Sequence, residues 1–327
     1  LIVDKTIFIS ALDWGLGHAT RCVPLIKKLK ATNKVIIGTT PLTKIIFDEE
    51  FPELQKIELP AYNVKYSNVL PLWLKLLFSS RRINRIIKQE YKLLEKIISE
   101  HKIDVVISDN RFGLYSKNIH SIFITHQVFL KTPIANKMAQ RINQNHILNF
   151  NEVWIPDYEE ETISLSGELS HGEHFHKKIK YIGVLSRLEK SSSLEKKYDY
   201  LFLISGPEPQ QTLFANALIK KAEQNPNFKF AFVKPNNLKP ENQNIETFNS
   251  PNAKQISEVV LQSKKIICRS GYSAIMDLHQ LEVDFKNVVF VATPGQTEQD
   301  YLAKYAKEKF GAKFISQREL SHYTFTV

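Results

Sequence analysis

Apolar positions along this chain follow two alternating periods. Short β-branched and aromatic runs, Thr6 to Ser10, Lys34 to Gly38, Gln55 to Leu59, Asp104 to Ile107, Ser121 to Thr125 and Glu152 to Ile155, predict buried strands. Between two of them Ile83, Ile86, Ile87, Tyr91, Leu94, Ile97 and Ile98 share one helical face, with Arg82, Arg85, Lys88, Lys92 and Lys96 mostly opposite. From Asp157 to about Lys197 the periodicity lapses into Glu, Ser, His and Lys, with one strand candidate from Ile179 to Ile182. A second series then follows. Its strands are Leu201 to Ser205, Phe228 to Val233, Ile245 to Phe248, Lys264 to Cys268, Val288 to Ala292 and Ala312 to Ile315. Its helices run over Gln210 to Gln224, Ala253 to Ser263, from Gly271 onward, and over Glu298 to Lys309.

This rhythm predicts an α/β protein of two Rossmann-like, doubly wound units facing a central cleft: residues 1–156, a crossing segment 157–197, and residues 198–327. Ligands of such sheets bind beyond the carboxyl ends of the strands, so the residues there carry the functional reading.

Charge sharpens the picture. The net charge is +10, and residues 1–150 hold 22 Lys and Arg against 12 Asp and Glu, which leaves the rest of the chain neutral. A basic half beside a neutral half points to an anionic partner for one domain only: a membrane surface, a phosphorylated lipid or nucleic acid. The Val69 to Phe78 segment, with Leu72, Trp73, Leu76 and Leu77 beside basic residues, is either an interfacial segment or part of a solvated crossover helix. Pro71 and Lys75 interrupt it, and no apolar run reaches the roughly 18 residues of a membrane span. No secretory leader is recognisable, so a cytoplasmic location is expected, at the inner membrane face if the basic half meets lipid. Cys22 and Cys268 are isolated and support neither a disulfide nor a thiolate zinc site. Nucleic acid is disfavoured, since no recognition motif interleaves aromatics with the basic charge.

Several strand-end motifs carry candidate chemistry. Asp13-Trp14-Gly15-Leu16-Gly17-His18 opens a helix; its glycines let backbone amides approach a ligand, and His18 is either a general base or a turn residue. A nicotinamide-binding reading is weakened by Thr20 at the third glycine position and by Gly38 and Thr39 where a ribose-binding acid would stand. Cys268-Arg269-Ser270-Gly271-Tyr272-Ser273, with Asp277 further along, reads as a phosphate cradle followed by a ribose-binding carboxylate. Thr293 to Asp300, including Gln296 and Gln299, offers hydroxyls and carboxamides suited to a sugar. Ser205-Gly206-Pro207 is either a nucleotide-lining turn or a connector. His126, Gln127 and the stretch Asp109 to Gly113 end first-half strands. His171, His174 and His176 lack the fixed spacing of a zinc site.

Cys268 to Gly271 followed by Asp277 resembles the C-terminal signature of the MurG-like glycosyltransferases, which have the GT-B fold and the family 28 type of C-terminal domain. Asp13 to His18 is similar to that family's glycine-rich first turn ending in Gly-His. His126-Gln127 resembles its His-Glu-Gln segment, and Tyr181 to Arg187 its interdomain run. Departures are Asp13 and Trp14 where glycine and a small residue are usual, Asp277 where Glu is usual, and Gln299-Asp300 in place of a paired glutamine.

The resemblance implies a metal-independent hexosyltransferase without a cofactor, moving sugar from a UDP-linked donor to a lipid-linked or cell-envelope acceptor. His18 would be the base, with Asp13 or Asp109 as substitutes. Gly206, Arg187, Arg269, Ser270, Gly271, Tyr272, Ser273, Asp277, Gln296 and Gln299 would hold the donor, and Gly15, Gly17, His126 and Gln127 the acceptor. The rivals are a nucleotide-sugar hydrolase or epimerase of the same fold and a non-catalytic nucleotide- or polyanion-binding protein.

Overall fold

A computed structural model describes residues 2–62, 72–131, 136–172, 178–190, 194–233, 240 and 242–326, and of 72–80 the backbone alone. The chain divides into two compact units, the first giving way to the second after Arg187. The expectations for Val69 to Pro71, for the side chains to Phe78, and for His174 and His176 lie outside the described residues.

The first unit runs β1 (Thr6–Ala11), α1 (Leu16–Leu29), β2 (Lys34–Thr39), α2 (Pro41–Glu50), β3 (Lys56–Glu58), α3 (Leu72–His101), β4 (Val105–Asp109), β5 (His120–Ile124), α4 (Asn136–Ile147), β6 (Glu152–Ile155) and β7 (Lys178–Tyr181). Its seven strands form one parallel sheet in the order β3-β2-β1-β4-β5-β6-β7. The central strands β1 and β4 are almost wholly buried, as their unbroken apolar runs require when helices cover both faces, whereas edge strand β7 is not. Ile179 to Ile182, read as part of a crossing segment, thus contributes the last strand of this sheet.

Two helices were not legible in the periodicity. α4 buries only Asn143 and Ile147, too little to show a stripe. α2 is short and is fixed by its start, where Pro41 follows Thr40 and the Thr40 and Thr43 side chains cap one another's backbone N–H groups.

The second unit runs β8 (Tyr198–Leu203), α5 (Gln210–Glu223), β9 (Phe230–Val233), β10 (Ile245–Phe248), α6 (Ala253–Leu261), β11 (Ser263–Cys268), α7 (Tyr272–Gln280), β12 (Val288–Val291), α8 (Thr297–Phe310) and β13 (Lys313–Ile315). All six strands are parallel, in the order β10-β9-β8-β11-β12-β13. Its core joins Tyr200, Phe202, Phe214, Leu218, Phe230, Phe232 and Phe325. In both sheets the order reverses direction beside the first strand, between β1 and β4 and between β8 and β11. Of the motifs singled out above, Asp13 to His18, Ser205 to Pro207 and Cys268 to Ser273 follow strands at these switch points, where open α/β sheets bind ligands.

Helix α3 is anchored to the first sheet by Leu94 and Ile97, packed with Phe8, Ile36 and Val106. It also carries a fully buried carboxylate. Glu90 takes the Nε of Arg111 at 2.8 Å, the hydroxyl of Tyr62 at 2.8 Å and the amide of Gly113 at 3.1 Å. Burial pushes the Glu90 carboxyl up, against the lowering effect of Arg111 and Tyr62.

Gly113 has no room for a side chain. A Cβ there would lie 2.3 Å from the Ile87 carbonyl oxygen and 2.6 Å from Glu90 Cβ. Gly113→Ala is therefore expected to force the loop off α3 and to lower stability by about 1–3 kcal/mol, read as a reduced urea midpoint at unchanged slope.

Candidate functional site

The strand ends of the first unit bring together four side chains. Thr6 to Ala11 and Val105 to Asp109 pair in register, Ala11 against Asp109, and the Leu12 amide donates to the Asp109 carbonyl at 2.9 Å. The chain then turns through Gly15, whose φ of 155° is a conformation that residues with a Cβ rarely adopt, and enters α1. His18 and Arg21 lie three apart on this helix and so share a face.

His18 Nδ1 stands 2.7 Å from Asp109 Oδ1. Arg21 forks onto the same carboxylate, Nε to Oδ2 and Nη2 to Oδ1, and its Nη2 is 2.9 Å from His18 Nδ1. Its remaining nitrogen, Nη1, is 3.2 Å from Nδ1 of His126, just past the end of β5. Asp109 is fully buried and Arg21 is 2% exposed, whereas the His18 side chain keeps 22% exposure.

Burial alone would push the Asp109 carboxyl up; the guanidinium of Arg21 and His18 beside it reverse this and hold it well below the usual carboxylate range. Asp109 is consequently an ionised acceptor, and the proton between it and His18 belongs on Nδ1. That leaves Nε2 of the partly exposed ring as the basic nitrogen, the arrangement of a base oriented by a carboxylate.

Asp109 is thus the partner of His18 and not a substitute for it, because a buried carboxylate locked by a guanidinium is a weak, inaccessible base. Asp13 is also engaged elsewhere. It is 9% exposed, takes the Tyr62 amide at 3.1 Å and lies 3.9 Å from Arg111. Gly17 belongs to the first turn of α1, where its carbonyl accepts from the Thr20 hydroxyl at 3.1 Å. Gln127 follows His126, its carbonyl held by Asn143 at 3.1 Å. The residue that sequence reasoning missed is Arg21; its one visible signal was the spacing of three from His18.

In the second unit, Cys268 ends β11 and Gly271 begins α7. A Cβ on Gly271 would meet nothing within 4 Å, and Gly271, at the N-cap, has no side chain with which to cap the helix. Ser270 is fully buried and donates to the Gln299 carbonyl at 2.8 Å, while Tyr272 is buried and Ser273 and Asp277 are partly exposed. Gly206, with φ of 106° and open space around its α-carbon, is exposed after β8. Gln299 fixes the neighbouring turn: its oxygen accepts from the Thr293 amide at 2.8 Å and its nitrogen donates to the Gln296 side chain at 2.7 Å.

Two arginines read as diphosphate partners are placed otherwise. Arg269 is 1% exposed and points beneath the turn, donating to the carbonyls of Val291, Ala292 and Gln210 and to Gln317, with Phe214 4.0 Å below its guanidinium. Burial pushes it down to about 9. It ties the start of α5 to the end of β12, which is a structural task. Arg187 pairs with Glu50 at 3.0 Å within the first unit. His171 is held by Ser170 at 2.8 Å and stacks on Tyr181.

No family model and no curated protein matches this sequence. Solved structures do match it over almost its whole length. The spinosyn rhamnosyltransferase SpnG with thymidine diphosphate aligns over 97% of this chain and 88% of its own, at 9% identity and a TM-score of 0.65. Phytolacca americana UGT2, solved with UDP-2-fluoroglucose and pterostilbene, gives 97% and 87%, 13% identity and 0.61. Acinetobacter baumannii MurG gives 98% and 89%, 12% identity and 0.53.

The fold is GT-B. The expected architecture of two parallel Rossmann-like sheets is borne out. The likeness extends to glycosyltransferases of several kinds, MurG among them.

Replacing Asp109 with Asn leaves the buried guanidinium of Arg21 without its counter-charge, so stability at pH 7 is expected to fall by about 3–5 kcal/mol. Because the native carboxyl titrates below its unfolded value, its contribution is full above about pH 4 and is lost as pH falls further. Urea unfolding followed from pH 7 to pH 3 will therefore show the difference between wild type and variant shrinking on acidification.

Proposed function

We propose that this protein is a glycosyltransferase that moves a hexose from a nucleoside-diphosphate donor, by preference UDP, to a hydroxyl of a lipid-linked or cell-envelope saccharide acceptor. The observation that carries the reading is the His18–Asp109 pair at a switch point of a GT-B fold. His18 Nε2 takes the proton of the acceptor hydroxyl while that oxygen bonds to the anomeric carbon. The bond from this carbon to the diphosphate oxygen breaks, and both electrons leave with the diphosphate.

The second unit holds the nucleotide. The start of α7 presents the positive end of its dipole to the diphosphate, a stabilisation that needs no metal, and Gly271 lets the ligand approach the backbone. Asp277, in the middle of the same helix, accepts from the ribose hydroxyls, and Gln296 and the exposed turn at Gly206 line the donor. Support for a nucleotide-sugar donor comes from the neighbours solved with thymidine diphosphate and UDP-2-fluoroglucose.

Gly15, Gly17, His126 and Gln127 border His18 on the acceptor side. An acceptor at an anionic membrane is supported by the excess charge of residues 1–150 and by α3, whose Arg81, Arg82, Arg85, Lys88, Lys92 and Lys96 are all exposed. Among the described residues no helix is long and apolar enough to cross a membrane.

The test is release of UDP from UDP-glucose and UDP-N-acetylglucosamine, with and without a membrane-lipid extract. His18→Gln is expected to lower acceptor-dependent release by about 10²–10⁴-fold with little change in donor KM. Equal release without acceptor would make the chain a hydrolase, His18 then activating water. Undiminished transfer by the variant would remove His18 from the reaction.

A further inference from the structure

The segment that leaves β5 carries His126 and Gln127 and belongs to no helix or strand. Thr125, His126 and Val128 are buried, and Gln127 is partly exposed between them. Buried backbone groups outside regular elements need partners from elsewhere. The Gln127 amide donates to the Thr125 hydroxyl at 3.0 Å, and the Phe129 amide to the Leu169 carbonyl at 2.9 Å. Two carboxamides of α4 grip the rest. Asn143 Nδ2 donates to the Gln127 carbonyl at 3.1 Å and to the Val128 carbonyl at 3.4 Å. Gln140, three residues earlier on the same helical face, donates to the Val128 carbonyl at 2.8 Å and accepts from the Leu130 amide at 2.6 Å.

This is an unusual way to attach a helix. α4 buries only Asn143 and Ile147, so a carboxamide stands where an apolar side chain would be buried without desolvating a polar group. What the carboxamide adds is direction, because its N–H bonds fix one peptide to within the tolerance of a hydrogen bond. That peptide adjoins His126. His126 Nδ1 lies 3.2 Å from Arg21 Nη1, and Arg21 forks onto Asp109, the partner of His18.

We propose that Asn143 is a positioning residue: by holding the Gln127 peptide it sets where His126 and Gln127 stand relative to His18, and through them how the acceptor is bound. The proposal rests on the transfer reading above for its effect on kinetics, whereas the hold is a property of the protein without ligand. Donor binding, assigned to the second unit, is independent of it.

One substitution separates shape from hydrogen bonding. Asn143→Asp keeps the size of the side chain but turns a donor to two carbonyl oxygens into a further acceptor, and the repulsion loosens the segment near neutral pH. Burial among carbonyl oxygens raises the pKa of such a carboxyl, so acidification restores an O–H donor. His146, three residues further along α4, stacks on Phe112 at 4.7 Å. It is present in wild type and variant alike, so its titration, like that of His18, cancels in their ratio.

The experiment has two readouts on the intact protein. Amide hydrogen exchange at Gln127, Phe129 and Leu130 is expected to be about tenfold faster in Asn143→Asp than in wild type at pH 7.5, and to return to within about threefold at pH 5.5. UDP release is then followed from UDP-glucose or UDP-N-acetylglucosamine, whichever wild type uses, with a membrane-lipid extract as acceptor. The KM for the extract is expected to rise about tenfold in the variant at pH 7.5 and to recover at pH 5.5, with donor KM within about twofold throughout. Asn143→Ala removes the donor without adding charge; it is expected to raise the acceptor KM about threefold at both pH values, and it decides the outcome if the charged variant does not fold. A general loss of stability would move donor and acceptor constants together and would not recover in acid. Unchanged exchange in the segment overturns the hold. Faster exchange with an unchanged acceptor KM overturns the positioning role. Absence of turnover in wild type counts against the transfer reading, and the exchange pattern then upholds or overturns the hold by itself.

Discussion

A buried ion pair sets the terms for the first unit. Arg21 and Asp109 come from α1 and from the end of β4, and neither is left more than a few percent exposed. Two charges taken out of water are tolerated only when their remaining polar atoms are also satisfied. That requirement draws in His18 and His126 and fixes the angle at which α1 leaves the first turn. The need to bury a charge pair and the orientation of a basic imidazole are thus one constraint.

A second buried pair acts alongside it. Arg111 and Glu90, both fully buried, tie α3 to the loop after β4, while Arg111 also donates to the carbonyl of Pro60 at 2.6 Å. Asp13, in the first turn, lies 3.9 Å from this arginine and holds the Tyr62 amide. The turn that carries His18 is therefore braced on one side by Arg21 with Asp109 and on the other by Arg111 with Glu90. The second unit solves its own burial problem differently. Among the described residues Arg269 has no carboxylate partner; three carbonyls, one carboxamide and the face of Phe214 hold its guanidinium, while its buried Nε has no hydrogen bond. This leaves the Gly271 turn uncharged, so that the proposed diphosphate would be held there by the backbone and the helix dipole.

Much of the fold was legible because parallel strands buried on both faces are runs of apolar residues that no other element requires. Glu152 to Ile155 and Ile245 to Phe248 are strands over the spans that the pattern predicts, and most others differ by one to three residues at an end. α4 was not legible, since a helix that buries two residues imposes no period. The site was legible in part. His18, Asp109 and His126 each stand out as polar residues at strand ends, but their grouping depends on the register of β1 against β4 across 91 residues, which no local pattern encodes. Arg269 was misread for a related reason: an arginine beside a small-residue turn suggests an anion above it, and only the packing of α5 shows that the side chain turns under the sheet end.

Central to the proposed function is that the second unit holds a nucleoside diphosphate at the start of α7 with Asp277 on its ribose. Calorimetric titration of the intact protein with UDP, dTDP, GDP and NAD, without added metal, tests it most directly, with Asp277→Ala alongside. UDP is expected to bind best, NAD not to bind, and the substitution to weaken UDP about tenfold, the loss of a charge-assisted hydrogen bond of roughly 1.5 kcal/mol. Preference for NAD, no nucleotide binding, or UDP affinity indifferent to Asp277 would contradict it.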